Sequence, residues 1–84
     1  MEHTTPGQEA QTQEQTGIEL AIGQAGTQDK LADALGVTQQ AVSGWLRQGW
    51  TPLERAIEIE AQFGVRREFL VHPRLRSAFA TVEL

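Results

Sequence analysis

The sequence predicts an all-α fold, a compact bundle of about five short helices joined by tight turns. Three observations predict it. Apolar residues recur at three-to-four spacing in successive runs between Ile18 and Phe63. A threonine precedes each run, at Thr16, Thr27, Thr38 and Thr51, where its hydroxyl suits a helix N-cap. A glycine follows each run, at Gly26, Gly36, Gly49 and Gly64, as a C-terminal stop.

Before the first run lies MEHTTPGQEAQTQEQT, residues 1–16, rich in Gln, Glu and Thr and without aromatic residues. Such a stretch cannot offset its ordering entropy by burial, so it is expected to be a disordered tail, with 17–84 as the folded domain. The first helix carries Ile18, Leu20, Ala21, Ile22 and Ala25. The second, Gln28 to Leu35, turns Leu31, Ala32 and Leu35 inward. After Gly36, Val37 plugs the turn, and the third helix turns Ala41, Val42, Trp45 and Leu46 inward. Thr51-Pro52-Leu53-Glu54 reads as a capping box with proline at the first helical position. The fourth helix then supplies Ala56, Ile57, Ile59, Ala61 and Phe63 as apolar surface. Residues Arg66 to Leu70 suit one short helical turn. The last segment is open to two readings: a helix from Pro73 with Leu75, Ala78, Phe79 and Val82 at helical spacing, or a hairpin around His72-Pro73-Arg74-Leu75. The helix is favoured because proline suits a first turn.

Composition excludes several classes of function. There are no cysteines, hence no disulfide and no thiolate metal site. The two histidines, His3 and His72, are far apart in sequence, so no metal site is expected. Neither a membrane-length apolar run nor a signal peptide is present, which with the lack of cysteine suits a cytoplasmic, nucleoid-associated protein. No carboxylate pair, histidine dyad or Gly-rich phosphate loop suggests an enzyme, so no catalytic residue, cofactor or small-molecule ligand is expected. The formal net charge is −4, which does not advertise a nucleic-acid binder, but Glu2, Glu9 and Glu14 in the tail account for −3 of it.

The stretch TQDKLADALGVTQQAVSGWLR, residues 27–47, meets the steric demands of a helix-turn-helix. Gly36 permits the sharp turn, small Ala32 permits close approach, and Leu31, Leu35, Val37, Val42 and Trp45 supply an apolar inner side. Gln39, Gln40 and Ser43 stand on the outer side of the third helix near its start. A Gln amide matches the N6 and N7 edge of adenine with paired hydrogen bonds, and the Thr38 methyl suits a thymine methyl. By composition alone these are ordinary solvated residues, but the surrounding pattern favours base contact. Helix N-termini offer free amides to phosphates, so Gln28 and Thr51 are candidates for backbone contact, with Lys30 adding charge. Arg47 suits a phosphate or the helix dipole. Trp45 has core spacing. Trp50 is more ambiguous and suits packing on Leu53 or the stem of Arg55. Arg66 and Arg67 read as a solvated face.

From KLADALGVTQQAVSGWLRQGWTPLERAIEIEAQFGV, residues 30–65, the chain resembles phage Cro repressors and the related YdaS-type antitoxin regulators. The stretch from Trp45 to Ala56, W-x-x-x-G-x-x-P-x-E-R-A, narrows the resemblance most. With weaker matches it spans about residues 17–76. It implies a lambda-repressor-like fold and a small transcriptional regulator, often of prophage origin, that binds double-stranded operator DNA as a homodimer and blocks transcription. By position it implies base contacts from Thr38, Gln39, Gln40, Ser43 and Gly44, with Gln28 and Arg47 toward phosphates. Gly44 departs from the pattern, since many relatives carry a polar or basic side chain there. The competing expectation is an antitoxin or adaptor-type protein-interaction module, motivated by the acidic charge and the tail.

Overall fold

The computed structural model describes residues 15–82. The expected tail lies almost wholly outside them. Among the described residues there are five α-helices and no strand: α1 (Gly17–Ala25), α2 (Gln28–Leu35), α3 (Gln39–Gln48), α4 (Leu53–Phe63) and α5 (Pro73–Val82), with a 3₁₀ turn at Arg67–Phe69 before α5. The C-terminal segment is thus a helix and not a hairpin.

Three of the four threonines cap as their position predicts. Thr16 Oγ1 accepts from the Glu19 amide at 3.2 Å, and the Glu19 carboxylate accepts from the Thr16 amide at 2.9 Å, a complete capping box. Thr27 Oγ1 accepts from Lys30 N at 3.0 Å, and Thr38 Oγ1 from Ala41 N at 3.1 Å. Each such bond satisfies a donor that the helix itself leaves unpaired, a stabilisation of about 1 kcal/mol.

The fourth threonine does not cap. Helix α4 begins one residue later than expected, with Pro52 at the N-cap and no side-chain cap bond. The reason is tertiary. The Thr51 amide donates to the Leu70 carbonyl at 2.7 Å, and its hydroxyl donates to the Pro52 carbonyl at 3.2 Å. This draws Thr51 inside, to 1% exposure.

The core gathers Ile18 and Ala21 of α1, Leu31, Ala32 and Leu35 of α2, Val42 and Trp45 of α3, and Ala56 and Ile59 of α4. Val65, Leu70 and Val71, on the irregular segment before α5, complete it. Burying each Leu, Ile or Val contributes about 1.5–3 kcal/mol. Leu20, Ile57 and Ala61, among the apolar residues of α1 and α4, are exposed. Gly17, by contrast, is buried where α1 starts, because the Phe69 carbonyl comes down directly onto it.

Candidate nucleic-acid interface

The α2–α3 turn is built as its sequence predicts. Gly36 adopts the left-handed region, φ 71° and ψ 31°, which a glycine enters without the clash a Cβ brings. The Val37 amide then reaches back to the Ala32 carbonyl at 3.0 Å, and half-buried Val37 packs on the core. This is the bond pattern of a Schellman closure, which fixes the angle at which α3 leaves α2. Buried Val42 and Trp45 hold the inner side of α3.

The outer side of α3 therefore faces away from the core. Thr38, Gln39, Gln40 and Arg47 are exposed, and Ser43 and Gly44 are half-buried. Among the described residues no side-chain hydrogen bond engages Gln39 or Gln40, so both amides keep their full donor and acceptor capacity. Thr38 uses its oxygen as the cap, which leaves its methyl as the group it can offer outward.

Ser43 does not stand alone on the outer side of α3. Its hydroxyl donates to the Gln28 Oε1 at 2.7 Å, across the two helices. The bond ties the first residue of α2 to the outer face of α3. It leaves the Gln28 amino group as the donor and the Ser43 oxygen lone pairs as acceptors. Sequence reasoning named both residues but could not have paired them, since they lie 15 positions apart on different helices.

Gly44 has a helical backbone, so its lack of side chain does not serve a turn. A Cβ built there meets only the Arg47 guanidinium, at 3.9 Å. The Arg47 head thus lies back along the helix over Gly44, toward the amide row. Lys30 instead folds over the α1–α2 turn, where a Cβ on Gly26 would lie 3.4 Å from its Cδ.

Three helix N-termini were candidates for phosphate. Their first turns differ: α2 carries Asp29 and α4 carries Glu54, while α3 carries no acid. A carboxylate there occupies the positive end of the helix dipole and repels a phosphate. Only the start of α3 keeps that end open. Thr51 is withdrawn as a phosphate contact, because the hydroxyl expected to face DNA is buried against Pro52. Thr51→Val should leave DNA affinity unchanged and cost about 1 kcal/mol of stability, the worth of one hydrogen bond. Parallel duplex-binding and urea-unfolding measurements check this, and a loss of DNA affinity at unchanged stability would restore Thr51 to the interface.

Trp50 has a ring partner that its sequence position does not announce. Its ring meets His72 edge-on, with centroids 5.2 Å apart and planes at 70°. His72 Nδ1 also accepts from the Arg74 amide at 3.1 Å, so the ring serves the turn into α5. Arg66 and Arg67 are engaged rather than free: Arg66 pairs with Glu68 at 3.0 Å and Arg67 with Glu60 at 2.6 Å. Among the described residues no group of three His, Asp or Glu side chains is placed to hold a metal, and no helix is long and apolar enough to cross a membrane.

The family model described as bacterial toxin YdaS matches residues 18–70 of the chain. That span runs from the first core isoleucine to the buried Leu70, from the second residue of α1 through the end of α4 and the 3₁₀ turn. No curated protein matches the sequence, and no solved structure does.

Proposed function

The chain belongs to the YdaS family, small bacterial proteins of helix-turn-helix type, and from that premise we propose that it is a sequence-specific DNA-binding transcriptional regulator. In this reading it is a Cro-like repressor of prophage origin. The coarser assignment, a small helix-turn-helix regulator or toxin–antitoxin-related protein, follows from the family itself.

One observation carries the finer reading. A helix held by Val42 and Trp45 presents unengaged amides, Gln39 and Gln40, on its opposite side, at a helix start whose first turn holds no acid. Helix α3 enters the major groove with its N-terminal half, and Gln40 and Gln39 read base edges. Ser43 accepts or donates at a base edge while it holds Gln28, whose amino group donates to a phosphate. Gly44 leaves room for the duplex to approach. Arg47, lying over Gly44, supplies the cation nearest the amide row. Lys30 adds charge from α2. Two copies then read a pseudo-palindromic operator with half-sites about 34–36 Å apart, and the bound dimer excludes RNA polymerase.

The overall negative charge does not oppose this. Three of the eleven acids fall in residues 1–16, and α3 itself carries none. Binding to duplex DNA from upstream of its own gene, titrated with salt, tests the proposal. Affinity falls steeply as salt rises, because each neutralised phosphate releases a counterion. Arg47→Ala should weaken binding to preferred and random duplexes alike and flatten the log–log salt slope by about 1. A chain that ignores every upstream duplex at low salt would overturn the reading.

A further inference from the structure

An open cleft of about 640 Å³ lies where four elements meet. Leu20 comes from α1, Gln48 from the end of α3, Phe69 from the 3₁₀ turn and Arg76 from α5. Trp50 adds its side chain from the link between α3 and α4. The volume falls within the range of about 300–1,000 Å³ typical of small-molecule sites. Leu20 is 42% and Phe69 41% exposed, so the cleft has apolar walls that the described residues leave uncovered.

A cation is built into those walls. Of the seven basic side chains, Arg55, Arg66 and Arg67 are paired with Glu58, Glu68 and Glu60. Among the described residues, Lys30, Arg47, Arg74 and Arg76 stand outside such pairs, and of these Arg76 has its head fixed by a hydrogen bond. Its Nε donates to the Glu68 carbonyl at 2.9 Å, and the guanidinium lies 5.5 Å from the Phe69 ring centroid. The N–H groups on its two terminal nitrogens stay unengaged. The Glu68 carboxylate is taken by Arg66 and that of Glu19 by the Thr16 amide, so neither neutralises Arg76. Among the described residues that line the cleft, Arg76 carries the one formal charge.

The opposite polarity stands on Gln48. Its Nε2 donates to the Trp50 carbonyl at 2.9 Å, which leaves Oε1 as an acceptor on the cleft wall. A fixed guanidinium, apolar and aromatic walls and a lone amide acceptor are thus gathered in one concavity. Composition alone predicts no small-molecule ligand, because these groups come from separate elements and no local motif joins them.

We propose that the cleft binds a small aromatic carboxylic acid. The carboxylate meets the terminal nitrogens of Arg76 with two parallel hydrogen bonds, the geometry that a planar guanidinium favours. The ring lies against Leu20 and Trp50, and a hydroxyl on the ring donates to Gln48 Oε1. The chain's own N-terminal segment joins at Gln15, on the rim of the cleft, but is the poorer occupant. Residues 1–14 bring acids but no Phe, Trp or Tyr. The site is independent of the proposed DNA reading. Gln48 stands about 12–14 Å along α3 from Gln40 and Gln39, at 1.5 Å per residue, so the acid and a duplex occupy opposite ends of that helix.

The test is a proton–nitrogen NMR titration of the full chain with para-hydroxybenzoate, without DNA. The indole N–H of Trp50 reads the cleft, and that of Trp45, buried in the core and outside the cleft, is the internal control. Trp50 is expected to shift with a dissociation constant of about 1 mM, ordinary for a ligand this small, while Trp45 stays in place. Para-hydroxybenzamide keeps the ring without the charge, and acetate keeps the charge without the ring. Each should bind at least about 10-fold more weakly. Arg76→Gln should weaken para-hydroxybenzoate at least about 10-fold with the Trp45 resonance unmoved, which shows the fold intact. Arg74→Gln, at an exposed arginine outside the cleft lining, should leave the affinity unchanged. A Trp50 resonance that ignores para-hydroxybenzoate at about ten times that concentration overturns the site. So does an equal response to the benzamide, or an equal loss in Arg74→Gln and Arg76→Gln. A response that appears only after Glu9→Gln and Glu14→Gln gives the cleft to the chain's own acidic segment and overturns the proposal as well. Failure of the chain to bind any duplex removes the regulator reading and leaves this site standing.

Discussion

Gln40→Ala should weaken binding to the preferred operator about 5- to 150-fold per half-site and leave binding to random duplex almost unchanged. The split follows from what the side chain can offer. Its amide is exposed and unengaged, so nothing in the fold depends on it. Its paired donor and acceptor match one base edge and mismatch the others, which is a difference of about 1–3 kcal/mol. It carries no charge, so it adds nothing to the counterion term that dominates random binding. The substitution also leaves helix α3 intact, since alanine is the better helix former and Thr38 still caps the Ala41 amide. Competition binding with the operator and a scrambled duplex at one salt concentration measures the split. Equal loss on both duplexes would remove Gln40 from base reading and leave it a solvated residue. The contrast with Arg47→Ala, which should lower both affinities together, separates reading from positioning.

Much of this architecture is legible in the sequence because it is local. Thr16, Thr27 and Thr38 each bond to the amide three residues on, and Gly36 closes a turn whose bonds span no more than five residues. Such contacts are dictated by nearest neighbours along the chain, so a capping residue and an apolar period suffice to place them. The inner side of the second and third helices follows equally, since Leu31, Leu35, Val42 and Trp45 keep a helical period. What sequence reasoning misses is set by distant partners. Thr51 has the pattern of a cap, yet the Leu70 carbonyl, 19 residues away, takes its amide and changes its role. Ile57 is as apolar as its core neighbour Ile59, yet it is exposed, while Val65, Leu70 and Val71 from beyond the helix join the core. Ser43 reads as an outward group of α3, yet its hydroxyl donates to Gln28 across the helix pair. In the candidate interface, then, the exposure of the outer amides is predictable one by one, while the bond that sets Gln28 against α3 is not.

Gly17 is the most consequential of these long-range contacts, and substituting it should produce the largest loss of stability. A Cβ at this position would lie 2.2 Å from the Phe69 carbonyl oxygen, 2.6 Å from its carbon and 3.1 Å from Leu70 N. All three are backbone atoms, so no side-chain rotation relieves the overlap. The 3₁₀ segment cannot retreat cheaply either, because Leu70 N donates to Arg67 O at 2.9 Å and Leu70 O accepts from Thr51 N at 2.7 Å. Alanine lowers the entropic cost of helix formation by about 0.5–1 kcal/mol, but overpacking costs about 1–3 kcal/mol and occasionally more. With backbone on both sides the clash wins, and Gly17→Ala should destabilise the fold by about 2–3 kcal/mol. At about 4–8 °C per kcal/mol for a chain of this size, that is a drop of at least about 8 °C in Tm. Gly23 supplies the matched control on the same helix. It is exposed, and a Cβ there meets nothing within 4 Å. Gly23→Ala should therefore raise stability by about 0.5–1 kcal/mol through the entropy effect alone. Urea unfolding of the pair reads the contact directly. Were both alanines to stabilise alike, the close approach of α1 to Phe69 would be wrong, and with it the placement of the segment that buries Thr51 and leads into α5.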